Sequence, residues 1–383
     1  MRGFPTGAPH GDNGSVEPVL KHRAIARIGL LAAPTVIALV IAGIAMEIRR
    51  PTTFDLDLTV TKLSFVSSDQ QTKALLGKTA FTKLTLNGIE KGTIAAGRVE
   101  LLRQRRSAAG TAMSTPLTLP VGISQRTPNG ATLMLAAPGN DAHAIGELGE
   151  LYLPPGGSAE LASMEENSTG IWARILDRPT RILLSMIGTS NVDLLGATID
   201  TESISDRGAA FMSLRVDAST SMSIIEMTGT GAGPVVILTP PAGEVSPLLL
   251  VADLPVSTLA FQAQGPTGAP VTTLSGEGTI GFAEAPEKAK IEVKPGYYVV
   301  LGDLKKFYLR KLNYLTHPNR IHVEAGGVAG SLRSGPAGGI QERALTWFDA
   351  IWNQPRSLQL LALAAWLFPT TLAGYKLLKE VQQ

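Results

Sequence analysis

Two runs of nineteen residues, each without a single charge, stand near opposite ends of this chain. No other feature constrains it as much. The first, Ile28 to Met46, reads IGLLAAPTVIALVIAGIAM; the second, Ser357 to Tyr375, reads SLQLLALAAWLFPTTLAGY. At about 1.5 Å of rise per residue, either run covers roughly the 30 Å of a bilayer's hydrocarbon core. Lipid offers the backbone no hydrogen-bond partners, so each run is read as a helix that satisfies its own. The predicted spans are a transmembrane helix over 24–48 and another over 357–376. Pro34 removes one donor from the first, a fault that bilayer helices tolerate. That run is also longer than the apolar core of a secretory signal, and its Ala42-Gly43-Ile44-Ala45 exit fits a cleavage site poorly. After the second run, Lys376 and Lys379 can reach headgroups while their stems stay in lipid.

Basic residues flank the two runs evenly. Lys21, Arg23 and Arg27 stand against Arg49, Arg50 and Lys62, and Arg343 and Arg356 against Lys376 and Lys379. Arg2 tips the balance towards tails inside, and a long middle region translocates largely regardless of its charge. The expectation is a bacterial inner-membrane protein with both termini cytoplasmic and its main domain periplasmic or extracellular.

The 34 basic and 32 acidic residues leave a formal charge of +2, without the broad basic field that nucleic-acid binding needs. Cysteine is absent, which excludes disulfides, thiolate nucleophiles and cysteine-ligated metal centres.

Between the runs the pattern is that of strands. Phe54, Leu56, Leu58 and Val60 alternate with Asp55, Asp57, Thr59 and Thr61, and the phase slips near Lys62, as at a bulge or strand end. Short apolar stretches recur from Thr82–Leu86 to Ile321–Val323. Between them stand Pro128-Asn129-Gly130, Pro154-Pro155-Gly156-Gly157, Pro240-Pro241-Ala242-Gly243 and Gly265-Pro266-Thr267-Gly268, read as turns. The predicted fold is mainly β, a sandwich, jelly roll or solenoid-like stack of layers, held between two single transmembrane helices. The β-rich domain covers 53–333, with possible subdomains at 53–138, 139–274 and 275–333. Within it, Asp303 to Thr316 is open to two readings. Leu304, Phe307, Tyr308, Leu312 and Leu315 have helical spacing, but Lys311 shares their face; as a strand, the segment repeats the Phe, Leu and Asn spacing of Phe81, Leu86 and Asn87.

Residues 1–20 read as a disordered tail and 334–339 as a Gly/Pro linker. An amphipathic helix is expected over 340–353, with Trp347, Phe348 and Trp352 at the membrane interface or docked on the main domain.

Catalytic motifs are missing: the sequence has no Walker A run, no HExxH and no GxSxG. The glycines of MTGTGAGP precede Pro234 and a β-like VVIL, where a dinucleotide site would start a helix. In HPNRIHVE, His317 and His322 have neither helical nor strand spacing for a shared metal. Asp55 and Asp57 project from one strand face and read as a solvated pair. No catalytic residue, metal or cofactor is therefore expected.

The remaining chemical signal is a basic and aromatic patch of Lys290, Lys294, Tyr297, Lys305, Lys306 and Arg310, suited to anionic headgroups or acidic partners, or serving as a solvated edge that resists aggregation. The function expected is non-catalytic binding or scaffolding in a cell-envelope complex. Its partners would be membrane lipids and other envelope proteins. The alternative is a carrier of lipid or lipid-linked glycan.

Overall fold

The structure, a computed structural model, describes residues 51–344 other than 104–112, 137–143, 165–168, 177–179, 187, 201–210, 218–222, 230–234, 242–252 and 284–289. Both apolar runs, the tail and Trp347, Phe348 and Trp352 lie outside the described residues. Among the described residues no helix is long and apolar enough to cross a membrane.

Every regular element described is a strand. In order these are β1 (Thr52–Val60), β2 (Lys62–Ser67), β3 (Lys73–Phe81), β4 (Lys83–Ala95), β5 (Arg98–Arg103), β6 (Met113–Pro116), β7 (Val121–Gln125), β8 (Ala131–Ala136) and β9 (Gly146–Leu153). There follow β10 (Ser158–Ser163), β11 (Ile171–Leu176), β12 (Arg181–Met186), β13 (Thr189–Leu195), β14 (Ala197–Asp200), β15 (Phe211–Asp217), β16 (Ser223–Gly229) and β17 (Val235–Thr239). The last are β18 (Leu254–Ala260), β19 (Gln262–Gln264), β20 (Pro270–Thr272), β21 (Gly278–Phe282), β22 (Ile291–Val293), β23 (Tyr298–Leu315), β24 (Arg320–Gly335) and β25 (Gln341–Glu342). All but the β19–β20 hairpin belong to one hydrogen-bonded network of 23 strands. Its ladders are antiparallel, which excludes a solenoid of parallel rungs among the layered folds expected.

Much of this network is a row of long strands, each broken once and continued on the far side of the break, except β4, which runs through with a register shift at Gly88. On one side β2, β10, β11, β17, the first half of β4, β8 and β13 pair in that order. On the other, β3, β9, β12, β16, the second half of β4, β7 and β14 do the same. Chain order joins the two halves: β2 leads into β3, β9 into β10, β11 into β12, β16 into β17, β7 into β8 and β13 into β14. The breaks therefore lie on one line across the sheet.

Glycine and proline mark that line. Pro154-Pro155-Gly156-Gly157 separates β9 from β10, Pro128-Asn129-Gly130 separates β7 from β8, and Gly196 separates β13 from β14. Gly88, Gly130, Gly156 and Gly196 have φ of 78°, 82°, 61° and 68°, the left-handed region that glycine enters without steric cost. These clusters do not close hairpins, because β7 does not pair with β8, nor β9 with β10. Gly265–Gly268 does turn a hairpin, closed by Gly265 N–H donating to Ala269 O at 2.8 Å.

The inward faces make one continuous apolar core. Ile171, Leu238, Leu84, Leu135, Val192, Leu214 and Leu101 are successive partners across seven strands, and each is at most 4% exposed. Burial of such side chains stabilises by about 2 kcal/mol each, which fixes the register, since a slip of one residue would turn the whole row to water.

The first strands behave as their alternation predicts. Phe54, Leu56, Leu58 and Val60 are buried on β1, then Leu63 and Phe65 on β2, so the phase slip falls at Thr61 between the strands. Asp303 to Thr316 is strand, within the long β23–β24 hairpin.

Residues 50–345 form one compact unit. Ladders cross the borders at 138/139 and 274/275: β4 pairs with β16 and β17, and β1 with β21 and β24.

Candidate functional surface

The face that β21, β1, β24 and β23 turn away from the core carries charge. β1 buries every second residue and presents Asp55 and Asp57 outward, as expected from its alternation. Asp57 stands opposite Glu324 on β24, and Glu324 opposite Lys311 on β23. The Lys311 ammonium donates to Glu324 Oε1 at 2.7 Å, and the Arg310 guanidinium to Asp55 Oδ1, also at 2.7 Å. Arg310 reaches Asp55 across Gly326, where a β-carbon would collide with the Asp55 carboxylate.

His322 lies between two acids, with Nε2 3.3 Å from Glu324 Oε1 and Nδ1 3.6 Å from Asp57 Oδ1. The Lys311 hydrogen bond, helped by His322, holds the Glu324 carboxyl below its ordinary range. His317 lies in the exposed turn between β23 and β24, away from this row. Among the described residues no three histidine or acidic side chains are grouped to hold a metal ion.

An open groove of about 420 Å³ borders the row, lined by Asp57, Glu277, Gly278, Thr279, Glu292, Val293, Lys294 and Pro295. A second cleft, of about 490 Å³, is lined by Thr72, Tyr152, Pro154, Thr180, Arg181 and Thr228. Among the described residues neither lining contains serine or histidine. In the second, the Arg181 guanidinium lies over the Tyr152 ring, 5.7 Å from its centroid.

The six residues of the predicted basic and aromatic patch do not form one site. Tyr298, next to Tyr297, pairs with Gly335, whereas Arg310 sits beside Leu309, the partner of Ala325. Ten ladder positions, about 30 Å along the strand, separate them. Lys290 is exposed before β22, Lys294 lines the acidic groove, and Tyr297 is half-buried against the core. Arg310 is committed to Asp55. Only Lys305 and Lys306 stand side by side, exposed on β23.

Sequence reasoning missed a buried pin at the turn of the β23–β24 hairpin. Tyr314 is fully buried; its hydroxyl accepts from Gly170 N–H at 2.7 Å and donates to Asn319 Oδ1 at 2.7 Å. Asn319 Nδ2 donates in turn to Met164 O at 2.7 Å. Burial raises the Tyr314 pKa, since the phenolate would lose its water. The only sequence signal was a tyrosine at an apolar position of the strand period.

The chain enters and leaves this unit at nearly one place. Thr52, the first residue of β1, pairs with Ala329 of β24. At the other end Glu342 pairs with Arg333, and Arg343 N–H donates to Leu332 O at 2.6 Å. Ala329 and Leu332 are three positions apart on one strand, about 10 Å.

No protein-family model matches the chain, and no curated protein is significantly similar to it.

Proposed function

We propose that this protein is a membrane-anchored β-rich binding or scaffolding component of the bacterial cell envelope. In this reading the two apolar runs span the inner membrane, both termini are cytoplasmic, and residues 53–333 work on the extracytoplasmic side. The observation that carries it is the common edge of β24 beside which the chain enters at Thr52 and leaves at Ala344. Five residues separate Met46 from Thr52, a reach of about 20 Å at most. A unit tethered through neighbouring points is held close to the bilayer and oriented by it. That raises the effective concentration of its surface for other membrane proteins without any catalytic group.

The charged face formed by β21, β1, β24 and β23 is the surface we assign to protein partners. Asp57 and the groove acids Glu277 and Glu292 offer charge that the Arg310–Asp55 and Lys311–Glu324 pairs leave over, which favours specificity and orientation over raw affinity.

The test is to purify the full chain from membranes after photocrosslinking at Thr279 and Asn313, two half-exposed positions on this face. A discrete protein adduct, lost when Asp55 and Asp57 are both changed to lysine, supports scaffolding. Co-purified lipid or glycan seen by native mass spectrometry, without a protein adduct, contradicts it and favours carriage.

A further inference from the structure

We infer that the Lys305-Lys306 bulge of β23 docks onto anionic lipid headgroups of the membrane that holds the two apolar runs. The inference rests on the anchored reading above and adds a lipid contact to it.

Leu304 pairs with Ala329, which pairs with Thr52, and Lys305 pairs with Val328, which pairs with Thr53. The lysines thus lie at the level where the chain enters the unit, two strand spacings away, or about 10 Å.

The β23–β24 register shifts between Lys305 and Tyr308, and two residues that are not glycine, Asp303 and Lys306, have φ of 52° and 48°. Residues with a β-carbon rarely adopt that conformation, and it persists only where the surroundings enforce it. Here they do. A β-carbon on Gly327 would collide with the Lys306 carbonyl, so the bulge is seated on a bare backbone. Phe307 is buried behind it, its ring centroid 5.5 Å from that of Phe54 on β1. The bulge is therefore packed onto the strand that begins at the entry point.

Farther along β23, Arg310 and Lys311 are neutralised by Asp55 and Glu324. Lys305 and Lys306 are exposed, and among the described residues no carboxylate forms an ion pair with either. The nearby Asp303 lies over Gly330 instead. Two unpaired ammonium groups, each a compact charge with three donors, suit phosphodiester headgroups. Each near-surface lysine is worth about a fivefold gain in attraction to an anionic leaflet, and the pair roughly thirtyfold.

The test uses the full chain in nanodiscs of phosphatidylcholine, with or without about 30% phosphatidylglycerol, the lipid that supplies the surface charge. Lysine amines are labelled with a water-soluble acylating reagent and quantified residue by residue by mass spectrometry. In anionic discs Lys305 and Lys306 label about fivefold more slowly than in neutral ones, and about 0.5 M salt removes the difference. Lys311, bonded to Glu324, labels equally in both and serves as the reference. The double variant Lys305→Gln with Lys306→Asn, the latter chosen because asparagine tolerates a left-handed backbone, weakens the pull on an anionic leaflet about thirtyfold. It reads out as loss of the slowed hydrogen exchange that anionic discs impose on residues 303–308. Equal labelling of Lys305 and Lys306 in the two discs overturns the inference while leaving the anchored reading intact. A chain that enters neither disc contradicts the anchored reading itself.

Discussion

Replacing Tyr314 by phenylalanine removes one oxygen and leaves the aromatic packing in place, so it isolates the pin between the β23–β24 turn and the loop after β10. The hydroxyl accepts from Gly170 N–H and donates to Asn319 Oδ1, both at 2.7 Å. Gly170 is buried, so its N–H finds no water and bears the desolvation cost of an unpaired donor, about 1–3 kcal/mol. Asn319 is half-buried and can recruit water, which limits its share to about 0.5 kcal/mol. The sum, about 1.5–3.5 kcal/mol, lowers the melting temperature of a unit this size by roughly 2–6 °C. The assay is thermal unfolding of the purified full chain followed by circular dichroism, with hydrogen exchange read at Gly170. Tyr314→Phe should speed exchange of that amide and lower the melting temperature, and Asn319→Ala should add less than its own effect when combined with it. Unchanged exchange at Gly170 would refute the reasoning, whatever happened to the melting temperature.

Three further expectations test other parts of the account. Gly130→Ala forces an L-residue into φ +82° and puts a β-carbon 2.6 Å from the backbone of Gly88, so the line of strand breaks loses ~2 kcal/mol or more, measured by denaturant unfolding. The Glu324 carboxyl is held low by Lys311, so its contribution to stability is present above the ordinary carboxylate pKa and is lost as pH falls through the lowered one. In Lys311→Met the Glu324 titration, followed by NMR, moves up towards the ordinary value. Because the chain has no cysteine, Pro51→Cys with Gln341→Cys gives two unique spin labels flanking the entry and exit points; their separation by pulsed EPR should be about 20 Å, given four ladder positions on β24 plus the label arms, and a distance beyond about 35 Å contradicts the shared edge.

Period-two alternation was legible wherever one strand face meets the core, as on β1 and β2, because burial alone sets it. The helical spacing read over Asp303 to Thr316 has a local cause. Register shifts on either side of Tyr308 move the strand out of phase, so that Leu304 packs on the core and Phe307, Leu309, Leu312 and Tyr314 are buried at uneven intervals that mimic a helix. Tyr308, which belonged to the helical set, is 38% exposed. The Gly/Pro clusters were legible as places where a strand stops. Whether the chain then reverses, as at Gly265–Gly268, or carries on across a break, as at Pro154–Gly157, depends on partners far away in sequence that the local residues do not encode. For the same reason Arg310 looked like part of a basic patch, although its partner, Asp55, stands 255 positions earlier. Lys305 and Lys306 were found from composition, but the bulge that displays them arises from pairing with β24.

The most direct measurement of the central claim is compartment mapping of the full chain with reporters that are active on one side of the membrane only, fused after Gly14, inserted within Gly265–Gly268 and appended at Gln383. The account predicts that the first and last report the cytoplasm and the insertion reports the opposite side. Termini in different compartments, or a Gly265–Gly268 reporter on the same side as both, would contradict it.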